Sequence, residues 1–154
     1  MTPGLGPVPS PTEAARVTDT SPGGELVNLT LWIAAGLLAA AYLVAGGGKV
    51  IMPKEKIAAT SASARWVEDF SDGAVKGIGA LELLAAVGLI VPAALDIAPI
   101  LVPLAAVGVV LLMVGAVITR LRRHEVTFML GDLVYLALGS FVAWGRFGPE
   151  PFTA

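Results

Sequence analysis

Four stretches of about 20 mostly apolar residues constrain this chain more than any other feature, because that length of helix is what crosses a bilayer core of ~30 Å. They are residues 26–48, 74–94, 98–119 and 127–147. Inside hydrocarbon every backbone N–H and C=O must be bonded within the chain, so runs of this length are helical. The expected fold is an all-α membrane protein, an antiparallel four-helix transmembrane bundle spanning residues 26–148. Composition agrees: 56% of residues are hydrophobic and 14% charged, against about 25% charged in soluble domains.

The segments outside these spans are uneven. Residues 1–25 hold five prolines and no apolar run like a signal sequence, and read as a disordered tail. Residues 149–154 form a short second tail. The link between the first two spans is long enough for a short interfacial helix carrying Trp66 and Phe70, and Ser71 or Asp72 is placed to cap the second span.

Basic residues set the orientation. Lys49, Lys54, Lys56, Arg65 and Lys76 cluster in the first loop region, and Arg120, Arg122 and Arg123 in the third, while the second loop has none. Both basic loops are therefore expected inside, with both termini outside. Trp32 and Trp144 then fall at the outer interface with Arg146, and Trp66 at the inner one. "RLRRHE", residues 120–125, reads as a loop meeting anionic lipid headgroups.

Charges within the spans carry the functional question. A carboxylate in hydrocarbon costs several kcal/mol unless neutralised, hydrated or paired. Glu82 lies ~12 Å into the second span and Asp132 ~8 Å into the fourth. Lys49 closes the first span and Lys76 opens the second, so all four belong to one half of the membrane. Glu82 can be neutralised by Lys49 or Lys76, or share a proton with Asp132; these charges can equally serve only to set helix pairing, with Lys49 and Lys76 reaching toward the interface. Tyr42, Gly46, Gly79, Tyr135 and Gly139 lie on the same faces and are the expected lining of a pocket there.

Several chemistries are excluded. The chain has no cysteine and a single histidine, His124, which rules out thiol redox chemistry, iron–sulfur ligation and paired-histidine haem binding, so no metal site is expected. A net charge of -2 argues against nucleic acid as a partner. "AGGGK", residues 45–49, ends a membrane helix and so is not a phosphate loop.

With "AGGGKVIMP", "GALELLAAVGLIVP", "RLRRHE" and "FVAWGRFGP" in place, residues 29–149 resemble the DoxX-like family of small four-span bacterial membrane proteins. The resemblance points to Lys49, Glu82 and Arg146 as family-pattern positions. It implies an accessory subunit or assembly factor of a membrane complex, with a link to quinone oxidoreductases, membrane lipids around it, and other subunits or further copies of the chain as partners. The alternative is a lipophile-binding protein holding a quinone or lipid around Glu82. A small transporter fits less well, since no discontinuous repeat is evident.

Overall fold

The computed structural model describes residues 22–151. The expected disordered tail lies outside the described residues up to position 21, and the second tail does so from 152. Five α-helices and a 3-10 helix follow in order: α1 (Pro22–Ile51), α2 (Lys54–Thr60), the 3-10 helix (Ala62–Asp69), α3 (Asp72–Ala94), α4 (Leu101–Arg122) and α5 (Val126–Phe147). Helix α1 starts four residues before the expected span. A proline at the first helical position lacks only an N–H that would have no partner there, so Pro22 suits this start.

Helices α1, α3, α4 and α5 are each long and apolar enough to cross a membrane. They form a closed ring in which α1 packs on α3, α3 on α4, α4 on α5 and α5 back on α1. A Cβ built on Gly46 would meet Glu82 and Leu83, whereas one on Gly79 would meet Lys49 and Val50. Residue numbers thus rise along α1 as they fall along α3. Leu38, Leu89, Ala106, Val109 and Val142 are fully buried at the centre. Leucines such as Leu37, Leu84, Leu111 and Leu130 stay exposed on the outside, where lipid tails solvate them. Lipid is as apolar as leucine, so close packing of small residues, rather than exclusion of water, holds such helices together.

The helix ends are built by local chemistry. Ser71 caps α3, its hydroxyl accepting from the amide of Ala74 at 3.2 Å. Helices α3 and α4 each end in a Schellman arrangement. After α4, the amide of His124 donates to Leu121 O and that of Glu125 to Arg120 O, with His124 left-handed at φ 57°. After α3, Asp96 takes the same place, at φ 53°. Histidine and aspartate adopt that region more readily than most residues. The lone histidine thus ends a helix.

Between α1 and α3 the chain packs as a small second core. Ile57, Val67 and Val75 are buried there, with Trp66 and Phe70 edge-to-face at 5.6 Å. Lys54 donates to Phe70 O at 3.2 Å and pins α2 to the end of the 3-10 helix.

Candidate functional site

The glycines of α1 and α3 bring the central pair of charges together. A Cβ on Gly46 would lie 2.7 Å from Gly79 O, so only glycine permits the helices this near. One turn further, Lys49 Nζ reaches both oxygens of Glu82, at 2.9 and 2.8 Å. Glu82 is 5% exposed, and Lys49 is covered from above by the Trp66 ring, 5.7 Å from its nitrogen. Each carboxylate oxygen receives an N–H, and the pair is neutral as a unit.

A second cluster gathers around Arg120, which is 7% exposed. Its Nε donates to Asp132 at 3.2 Å, Nη2 donates to Ser63 O at 2.8 Å, and Nη1 binds Glu125. The turn at His124 is what folds Glu125 back over Arg120. Arg123 extends the network, donating to Glu125 and Asp69 at 2.8 and 2.7 Å. The hydrogen bond from Arg123 holds the Glu125 carboxyl below the usual carboxylate range, and Asp69 and Glu125 push the Arg123 guanidinium up. One guanidinium therefore joins α4, α5 and the 3-10 helix.

Between these clusters lies a cavity of about 410 Å³. Lys49, Glu82, Arg120 and Asp132 form its polar side, and Trp66 and Phe70 border it from the 3-10 segment. Ile78, Leu112, Met113 and Ala116 make the apolar side. Ligand pockets commonly have this size, about 300–1,000 Å³, and this mixture of a few polar groups on apolar walls.

The arrangement departs from the sequence expectations at several positions. Lys76 is exposed on the outside of α3 and is not part of the buried cluster. It stands six residues before Glu82 and so about 120° around the helix from it, while Lys49 reaches the carboxylate across the glycine contact. Asp132 pairs with Arg120 and makes no hydrogen bond to Glu82 among the described residues. None of Tyr42, Gly46, Gly79, Tyr135 and Gly139 lines the cavity. The glycines close the gap between helices: a Cβ on Gly139 would be 2.8 Å from a Val109 methyl. Tyr42 is buried deeper in the bundle, edge-on to Tyr135 at 6.3 Å, and its hydroxyl has no hydrogen-bond partner among the described residues.

At the opposite end, Arg146 is 5% exposed and so turned inward rather than toward an interface. It donates to Asn28 Oδ1 at 2.8 Å and to Glu150 O at 3.2 Å, with the Trp32 ring 5.6 Å away. Trp144 is exposed on the outer surface. "RLRRHE" is likewise split: Arg120 and Arg123 are tied into ion pairs and Arg122 alone of the three arginines is exposed.

Arg120, Glu125 and Ser63 were not expected in the site. A signal for Arg120 existed: it and Asp132 stand 12 residues apart around one short turn, which places both at the same end of a helical hairpin.

No curated protein and no solved structure matches the chain. Residues 33–142 match the DoxX-like family, a stretch that contains all four apolar helices in whole or large part together with the Lys49–Glu82 and Arg120–Asp132 pairs. Exposed leucines around four such helices complete the picture: this chain is a multi-pass membrane protein and belongs to the DoxX-like family.

Proposed function

We propose that the protein binds a membrane-soluble molecule, its polar head in the cavity beside Lys49 and Glu82. The observation that supports this is the divided lining: two ion pairs on one side and apolar side chains on the other, around about 410 Å³. A lysine has three N–H donors, and two of those of Lys49 go to Glu82, which leaves one for a ligand. That donor, with the aromatic edge of Trp66 and Phe70, suits a ring bearing carbonyl oxygens such as the quinone that the family implies. Lys49 would hold a ring oxygen there, and the quinone itself would supply any redox chemistry, as the chain has no thiol.

The test is native mass spectrometry of the protein extracted from its host in mild detergent. The expected result is a stoichiometric lipophilic adduct that is lost in Glu82→Gln and in Gly115→Leu. The second variant changes neither charged residue: Gly115 lines the cavity and a Cβ there meets nothing within 4 Å, so the added side chain occupies ligand space. A preparation without any adduct would overturn the reading.

A second reading, an accessory subunit or assembly factor of a membrane complex, is favoured by α5. It is the least buried of the four spans, 11% of its most apolar stretch against 39% in α1. A co-purifying protein, or a further copy of the chain, without a small molecule would support it.

The cavity end is assigned to the cytoplasmic side of a bacterial inner membrane, with both termini outside. Lys56, Arg65, Lys76 and Arg122 are exposed at that end, in keeping with the preference of cytoplasmic loops for lysine and arginine. Single cysteines introduced at positions 65 and 149 of this cysteine-free chain should differ in labelling by an impermeant maleimide, the second reacting in intact cells.

A further inference from the structure

A second hollow, about 440 Å³, runs along the outside of the bundle between α3 and α4. Leu81, Leu84 and Ala85 line it from α3, and Ala105 and Gly108 from α4. Leu111 and Leu112 line both this furrow and the polar cavity, so the two lie side by side along α4. Gly108, Leu111, Leu112, Gly115 and Thr119 follow the i, i+3, i+4, i+7, i+11 spacing of one helical stripe. From Gly108 to Thr119 this path is about 16 Å long.

The glycines explain why the furrow is open. Gly88 brings the helices into contact, since its Cβ would lie 2.8 Å from that of Ala105, and this closes the far end. Gly108 and Gly115 do the opposite: a Cβ on either meets nothing within 4 Å. They leave space in the lining that no neighbouring helix fills.

Charge then restricts the head. Lys49 is matched by Glu82, and Arg120 by both Asp132 and Glu125. An anionic phosphate taking the remaining N–H of Lys49 would lie beside Glu82 and Asp132, with both lining cations already matched and none left to balance its charge. An uncharged head needs only the remaining N–H of Lys49 and the free lone pairs of the carboxylates.

We infer that the ligand is an amphiphile with an uncharged head and a single apolar tail, the head in the cavity and the tail in the furrow between α3 and α4. This rests on the reading of the cavity as a ligand site. A single furrow between two helices receives one tail, and its apolar lining matches a hydrocarbon chain rather than a peptide.

The protein in lipid nanodiscs, titrated with duroquinone (a bare ring) and decylubiquinone (a ring with a tail), tests this. Saturable quenching of Trp66, read as the difference from Trp66→Phe, reports occupancy, because Trp66 lines the cavity. In the wild type the tailed probe should bind more tightly than the bare ring. Gly108→Leu, and Leu84→Phe from the facing wall, should each weaken the tailed probe roughly tenfold and leave the bare ring within about twofold. Equal wild-type affinities, or no loss in either variant, would overturn the tail assignment while binding of the ring keeps the cavity as a site. Competition by dioleoylphosphatidylglycerol would overturn the uncharged head. If neither probe saturates in the wild type, the cavity reading fails together with this one.

Discussion

Lys49 and Glu82, 33 residues apart in sequence, face each other across the α1–α3 contact with both carboxylate oxygens bonded to one ammonium group. Their side chains are 12% and 7% exposed. This pairing accounts for a glutamate in the middle of an apolar helix. The cost of bringing either charge out of water is offset by its partner, and the glycines at 46 and 79 make the reach short enough.

Removing one partner strands the other. Glu82→Met or Lys49→Met should each destabilise the fold by about 3–5 kcal/mol, while the double variant Lys49→Met/Glu82→Met should recover most of that loss. Unfolding midpoints of the four proteins in one detergent give the coupling directly. Additive losses would mean that the two side chains act independently.

The helix contact itself can be tested without touching a charge. Gly46→Ala puts a methyl 2.7 Å from Gly79 O and should cost about 1–3 kcal/mol by forcing α1 away from α3. Gly36→Ala in the same helix meets nothing within 4 Å and should leave stability unchanged or slightly raised. Thermal melts of both variants side by side decide it.

Arg120 joins three elements through a planar fork, and a lysine cannot reproduce that geometry. Arg120→Lys should lose hydrogen bonds to charged partners worth about 1.5–3 kcal/mol each. Amides of residues 62–69 should then exchange hydrogen faster than in the wild type while those of α3 change less, because the buried bond to Ser63 O is lost and the more exposed Arg123–Asp69 pair is left to tie the 3-10 helix to the end of α4. A uniform change across both segments would contradict this.

Acid should weaken the same network. The Glu125 carboxyl is held below its ordinary value of 4.5, chiefly by the hydrogen bond from Arg123. Its contribution to stability is therefore complete above that value and is lost as pH falls through the lower folded value. The melting temperature should drop below pH 4.5, and Glu125→Gln should start lower at neutral pH but change less on acidification. Equal slopes for the two proteins would assign the acid sensitivity elsewhere.

The apolar runs alone determined the four spans, because a bilayer tolerates little else of that length and composition. Helical periodicity also placed Lys49 and Glu82 on facing surfaces in one half of the membrane, and the serine before α3 marked its start. Tertiary structure decided the partners. Periodicity restricts a side chain to a face, but which neighbour it meets depends on how closely two helices approach. Gly46 and Gly79 set that distance, giving Glu82 to Lys49 and leaving Lys76 at the surface. The left-handed turn at His124 likewise drew Arg120 and Glu125 out of an apparent headgroup-facing loop and into the bundle. The cavity followed from the same contrast: helices meet where a glycine faces a neighbouring helix, as at Gly46, Gly79, Gly88 and Gly139, and they leave space where it faces none, as at Gly115.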